Sequence, residues 1–115
     1  MAAEKRKDLP IGMGAQTETM LEELGFHYRM NGHDVIRQMV NELREDEIRD
    51  QFLEFNNINK IKRIEKSSRI RGFKFKTAEI EEFTKAQWKC RIKGLSTFIK
   101  QLIYFNYEKH VKPHQ

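Results

Sequence analysis

Val35-Ile36-Arg37-Gln38-Met39-Val40 and Phe98-Ile99-Lys100-Gln101-Leu102-Ile103 match position for position in chemical type. Asn31-Gly32 stands just before the first and Lys93-Gly94 just before the second. Further upstream, an alternating run precedes each: Ile11-Gly12-Met13-Gly14, then Phe73-Lys74-Phe75-Lys76. A strand, a helix, a glycine turn and a second helix that recur after about sixty residues read as duplication of one small unit. The repeat also has an asymmetry: the second copy carries lysines in its alternating run where the first carries glycines.

Residues 1–8 are polar and contain nothing that packs, so they are expected to form a disordered tail. Leu9 to Ala15 has period two, with Ile11, Met13 and Ala15 on one face and Gly12 and Gly14 on the other. From Thr17, a plausible N-cap, Met20, Leu21, Leu24 and Tyr28 follow at helical spacing, with Gly25 as a soft spot. Asn31-Gly32 is a helix stop. Asp34 then caps a second helix that buries Val35, Ile36, Met39, Val40 and Leu43, and that helix is expected to run on through Ile48, Phe52 and Phe55 until Asn56, Asn57 and Asn59 interrupt it.

The first repeat therefore spans 9–55. Residues 56–69 form a basic connector broken at Ser67-Ser68, and the second repeat spans 70–115. In that repeat Phe73 and Phe75 share one strand face, and Gly72, Lys74 and Lys76 the other. Thr77 is expected to cap a helix carrying Ile80, Phe83, Ala86 and Cys90 on its apolar stripe, with Glu79, Glu81 and Glu82 in the favourable first turn. Gly94 ends that helix, and Ser96 or Thr97 caps the last, which buries Phe98, Ile99, Leu102, Ile103 and Phe105. Residues 10–15 should pair antiparallel to 71–76. The fold class is mainly α with one two-stranded antiparallel ribbon, the two repeats forming a single pseudo-symmetric domain.

With 115 residues, 38% of them apolar and 34% charged, the chain suffices for one small domain with a thin core. One cysteine excludes an internal disulfide, and no segment has the length of a membrane span or the pattern of a signal peptide, so a cytoplasmic location is the default expectation. Residues 1–57 hold 7 Lys/Arg and 12 Asp/Glu, whereas 58–115 hold 15 and 5. A basic second half of this kind suits a polyanionic partner.

This pattern resembles the ribbon-helix-helix fold of the Arc/MetJ-type superfamily, whose members read DNA with a β-ribbon. Two copies in one chain are similar to tandem members such as the TraY-type accessory proteins of plasmid conjugation. The resemblance implies that the ribbon's inner face (Ile11, Met13, Phe73, Phe75) packs on four helices and that its outer face (Gly12, Gly14, Gly72, Lys74, Lys76) enters the major groove, with Arg69 and Arg71 adding charge beside it. It also implies that the N-terminus of each second helix holds a phosphate. Ser96 and Thr97 suit that role, whereas Asp34 would repel the anion. The implied function is double-stranded DNA binding, as a relaxosome accessory of a plasmid or mobile element or as a transcriptional regulator. The implied partners are DNA, a relaxase or other protein, and further copies self-associating on DNA.

Blander readings exist for each residue. Lys74 and Lys76 are ordinary protection for an edge strand. His27, His33, His110 and His114 have no metal-ligand spacing, and Cys90 lies on a core stripe. Trp88, Tyr104 and Tyr107 could stack bases in a single-strand binder, but aromatic residues at helical positions are more often packing residues. No nucleophile-base constellation or phosphate loop is present, so neither an enzyme nor a cofactor is expected. The competing class is a protein-interaction adaptor or antitoxin-like module whose acidic first half docks a partner.

Overall fold

The computed structural model describes residues 5–59 and 68–114. The chain is mainly helical around one two-stranded antiparallel sheet. Strand β1 (Arg6–Met13) leads into helices α1 (Ala15–Tyr28), α2 (Gly32–Glu42) and α3 (Asp46–Asn59); strand β2 (Arg69–Lys76) leads into α4 (Thr77–Lys89) and α5 (Leu95–Asn106). A short π-helical turn (Tyr107–Val111) and a 3-10 turn (Lys112–His114) close the chain.

The strands pair within the one chain, from Arg6 opposite Lys76 to Met13 opposite Arg69. The pairing is antiparallel as expected, but Pro10 faces Gly72 rather than Lys76. This slip covers an even number of residues, so every side chain keeps its expected face. Leu9, Ile11, Met13, Phe73 and Phe75 point inward and are buried. The helices cover them with Leu21 and Leu24 from α1, Ile36 and Met39 from α2, Phe52 from α3, Phe83 from α4, and Phe98, Ile99 and Leu102 from α5. An eight-residue strand alternating in this way can bury only one face, and the five helices supply its cover.

Several boundaries differ from expectation. Arg6, Lys7 and Asp8 belong to β1 and not to a disordered tail, because backbone pairing with β2 needs no apolar side chains; residues 1–4 lie outside the described residues. Helices α1 and α4 start directly at the strand ends, with Gly14 and Lys76 as N-caps, which leaves Thr17 buried inside α1 and Thr77 as the first residue of α4. Thr77 instead donates through its hydroxyl to the Lys5 carbonyl (3.3 Å). Asn31, not Asp34, caps α2, its side chain accepting from the Asp34 N–H at 2.9 Å. The N-cap of α5 is Gly94, not Ser96 or Thr97.

Helix α2 does not run on into α3. Leu43, Arg44 and Glu45 each donate to the carbonyl three residues back, forming a tight turn. Arg49 braces it by donating to the Leu43 carbonyl (3.4 Å) and pairing with Asp46 (2.5 Å). The turn aims Phe52 inward, against Phe98 and Phe105. Asn56, Asn57 and Asn59 extend α3 instead of interrupting it. Of the connector expected over 56–69, residues 60–67 lie outside the described residues.

Helices α1 and α4 end in the same way. Arg29 (φ 57°) and Arg91 (φ 55°) adopt the left-handed conformation. The next residue in each case, Met30 or Ile92, donates its N–H five residues back, to the carbonyl of Gly25 (2.9 Å) or Gln87 (3.4 Å). This hydrogen bond closes a helix and reverses the chain within two residues.

Candidate nucleic-acid interface

Inward burial leaves the opposite ribbon face to solvent. Its cross-strand pairs are Arg6 with Lys76, Asp8 with Lys74, Pro10 with Gly72, and Gly12 with Ile70. Lys74 and Gly72 are exposed there, as expected, while Gly12 and Lys76 are half-buried. The Lys76 backbone N–H donates to Glu79 Oε1 (3.1 Å), so this lysine ends the strand and opens α4 at once. Arg6, Asp8, Pro10 and the 74%-exposed Ile70 join the face although sequence reasoning passed over them. Period two carried back from Gly12 would have found Pro10, Asp8 and Arg6 had the strand not been taken to start at Leu9.

Three expected interface residues stand elsewhere. Gly14 is buried at the α1 N-cap, because the chain has already left the sheet. Arg69 and Arg71 have the parity of Phe73 and Phe75, so they turn toward the helices. Arg69 forms an ion pair with Glu18 of α1, and the Arg71 guanidinium lies 4.6 Å from the Phe73 ring centroid.

The starts of α2 and α5 flank the ribbon and differ chemically. Beside β1, Ser96 Oγ accepts the Gly12 N–H (3.1 Å), anchoring α5 to the strand edge. Ser96 thus acts as a strut. Exposed Thr97 stands next to it in the first turn of α5, whose Gly94 cap (φ 85°) offers no side-chain acceptor. The first N–H groups of a helix need acceptors from outside it, and an anion is well placed to supply them. Beside β2, the start of α2 is already served by Asn31 and carries Asp34. His33 packs there against the Phe73 and Phe75 rings (5.0 and 5.3 Å between centroids); burial, then the Arg37 and Arg71 charges, hold its pKa below the ordinary histidine value.

Arg37 ties this side together. It donates to Asp34 (2.7 Å) and to both carboxylate oxygens of Glu79 (2.5 and 3.3 Å), and lies 5.2 Å from the Phe75 centroid. The Arg37 hydrogen bonds hold the Glu79 carboxyl below its ordinary pKa. Beyond the pair, a cleft of about 940 Å³ opens between α2 and α4, lined by Leu43, Phe83 and Cys90 with Trp88, 74% exposed, at its rim. Burial raises the Cys90 thiol pKa, which makes the thiolate scarce.

Among the described residues, no group of three or more His, Cys, Asp or Glu side chains could hold a metal ion, and no helix is long and apolar enough to cross a membrane. Tested against family models, curated proteins and solved structures, the chain matches none of them.

Proposed function

We propose that this chain is a double-stranded DNA-binding protein made of two ribbon-helix-helix repeats folded against each other, and that its outer ribbon face enters the major groove. The observation that carries this reading is the polarity of the ribbon: Leu9, Ile11, Met13, Phe73 and Phe75 are buried on one face, and the other bears exposed Arg6 and Lys74 beside the uncapped start of α5. A two-stranded ribbon fits the width of the major groove, where lysine and arginine donate to guanine O6 and N7 or to the flanking phosphates.

The repeat architecture is supported by one recurring interval. The spacing that separates Arg29 from Arg91, the two left-handed caps, also separates Phe26 from Trp88, Gly32 from Gly94, and the directly paired Pro10 and Gly72. A two-fold axis through the Pro10–Gly72 pair would therefore relate the halves. The biological setting this reading favours is a plasmid or mobile-element relaxosome, or transcriptional regulation.

Duplex binding measured across a salt series is the test. Affinity should fall steeply with salt, and Arg6→Ala and Lys74→Ala should each lower it and flatten the slope by about one unit if they neutralise a phosphate. The cleft beside Trp88 favours the adaptor reading as the alternative. Absence of duplex binding at low salt would transfer the function to it.

A further inference from the structure

The outer ribbon face carries a feature that a surface built only to meet phosphates would lack. Asp8 stands in its middle, between Arg6 and Pro10 along the strand and opposite Lys74 across it. It is exposed, and its side chain forms no hydrogen bond or ion pair with the described residues. Its carboxylate leans over the ribbon: Oδ1 lies 4.0 Å from the point a Cβ would occupy on Gly72, the diagonal neighbour. Since Gly72 has no side chain, the carboxylate keeps open space above the sheet's centre.

In a major groove, phosphates repel such a group. The only base-edge donors there are the N4 amino group of cytosine and the N6 amino group of adenine. Adenine places its N7 acceptor beside N6, which repels a carboxylate, whereas cytosine has no acceptor at the corresponding place. The guanine paired with that cytosine offers O6 and N7 to a cation. Asp8 and Lys74, opposed in register, present an acceptor and a donor side by side. This matches the donor and acceptors of one C·G pair.

Resting on the groove reading above, we propose that Asp8 is a specificity-determining residue that selects a cytosine at the centre of the bound site, with Lys74 addressing the paired guanine. The acid lowers affinity for every other sequence, so discrimination is gained at the expense of general binding.

The test is selection from a random duplex pool at low salt with the full-length wild type, Asp8→Ala and Asp8→Asn, each checked by thermal melting. Wild type should fix one central C·G pair, with discrimination on the order of tenfold or more. Asp8→Ala should melt like wild type, bind unselected duplex several-fold more tightly and lose the fixed pair. Asp8→Asn should move the preference toward adenine, whose N6 and N7 match an amide. If wild type binds duplex and Asp8→Ala keeps the same central preference, the inference is overturned while the groove reading stands. If wild type binds no duplex, both fall.

Discussion

At the scale of the residue, neighbours along β2 have opposite consequences. Phe73 and Phe75 are fully buried, and replacing either with alanine leaves a cavity under the sheet. We expect a loss of about 3–5 kcal/mol, read from urea unfolding. Lys74, between them, projects to solvent, so Lys74→Ala should stay within about 0.5 kcal/mol of wild type while weakening duplex binding. Asn31 is a further single-residue case. Its side chain serves the Asp34 N–H, and Asn31→Ala should lower stability by about 1 kcal/mol in the same assay. Acid sensitivity also has named sources. Burial, then the neighbouring His27, lowers the His110 pKa from 6.5, while Glu42 opposes that shift and Lys109 adds to it; His33 is lowered chiefly by burial. A base whose folded pKa lies below its unfolded value leaves the unfolded chain with more bound protons. Stability should therefore be full above about pH 6.5 and fall as the solution is acidified through the lowered folded values. Glu79, held low by Arg37, acts in the same direction further into acid. Unfolding measured at pH 7 and pH 5 should show the loss, and His110→Gln should reduce it.

At the scale of the element, the paired left-handed caps make a distinct prediction. Arg29 and Arg91 occupy a conformation that glycine adopts without steric cost. Arg29→Gly and Arg91→Gly should each stabilise the chain by about 1 kcal/mol, visible as a raised melting temperature. Elements also show where the sequence was legible. Strand faces were readable because a period of two survives a register shift by an even number, so Phe73, Phe75, Ile11 and Met13 are inward despite the slip. The helix stripes were readable because apolar spacing is independent of where a helix begins. Helix starts were less legible: Thr17 and Thr77 have capping chemistry, but the strands run directly into α1 and α4. The length of β1 was hidden because Arg6-Lys7-Asp8 is held by backbone pairing, which leaves no trace in hydropathy. The α2–α3 turn is built from backbone hydrogen bonds three residues back and a local bond from Arg49 to the Leu43 carbonyl, neither of which has a hydropathy signature.

At the scale of the whole molecule, the split of charge along the sequence is folded through rather than separated in space. Glu18 of the acidic half pairs with Arg69 of the basic half; Arg37 with Glu79 and Arg44 with Glu82 cross in the other direction. The candidate interface likewise draws Arg6 and Asp8 from the first half and Lys74 from the second. Its composition was thus only half legible, since the position of Arg6 and Asp8 depends on the pairing of strands distant in sequence. The core is shared in the same way: Phe52 of the first half packs on Phe98 and Phe105 of the second. Neither half can bury its apolar surface alone. A fragment of residues 1–59 should be largely unfolded by circular dichroism, and adding a fragment of residues 68–115 should restore helicity.

The pairing of β1 with β2 inside one chain has a consequence for dilution. A ribbon assembled from two separate polypeptides dissociates as their concentration drops, and its apparent stability follows mass action. Here the strands are tethered, and the effective concentration of one for the other is on the order of millimolar however few molecules a cell contains. The melting temperature should accordingly not change across a hundredfold dilution, and a handful of copies should suffice to keep the ribbon assembled.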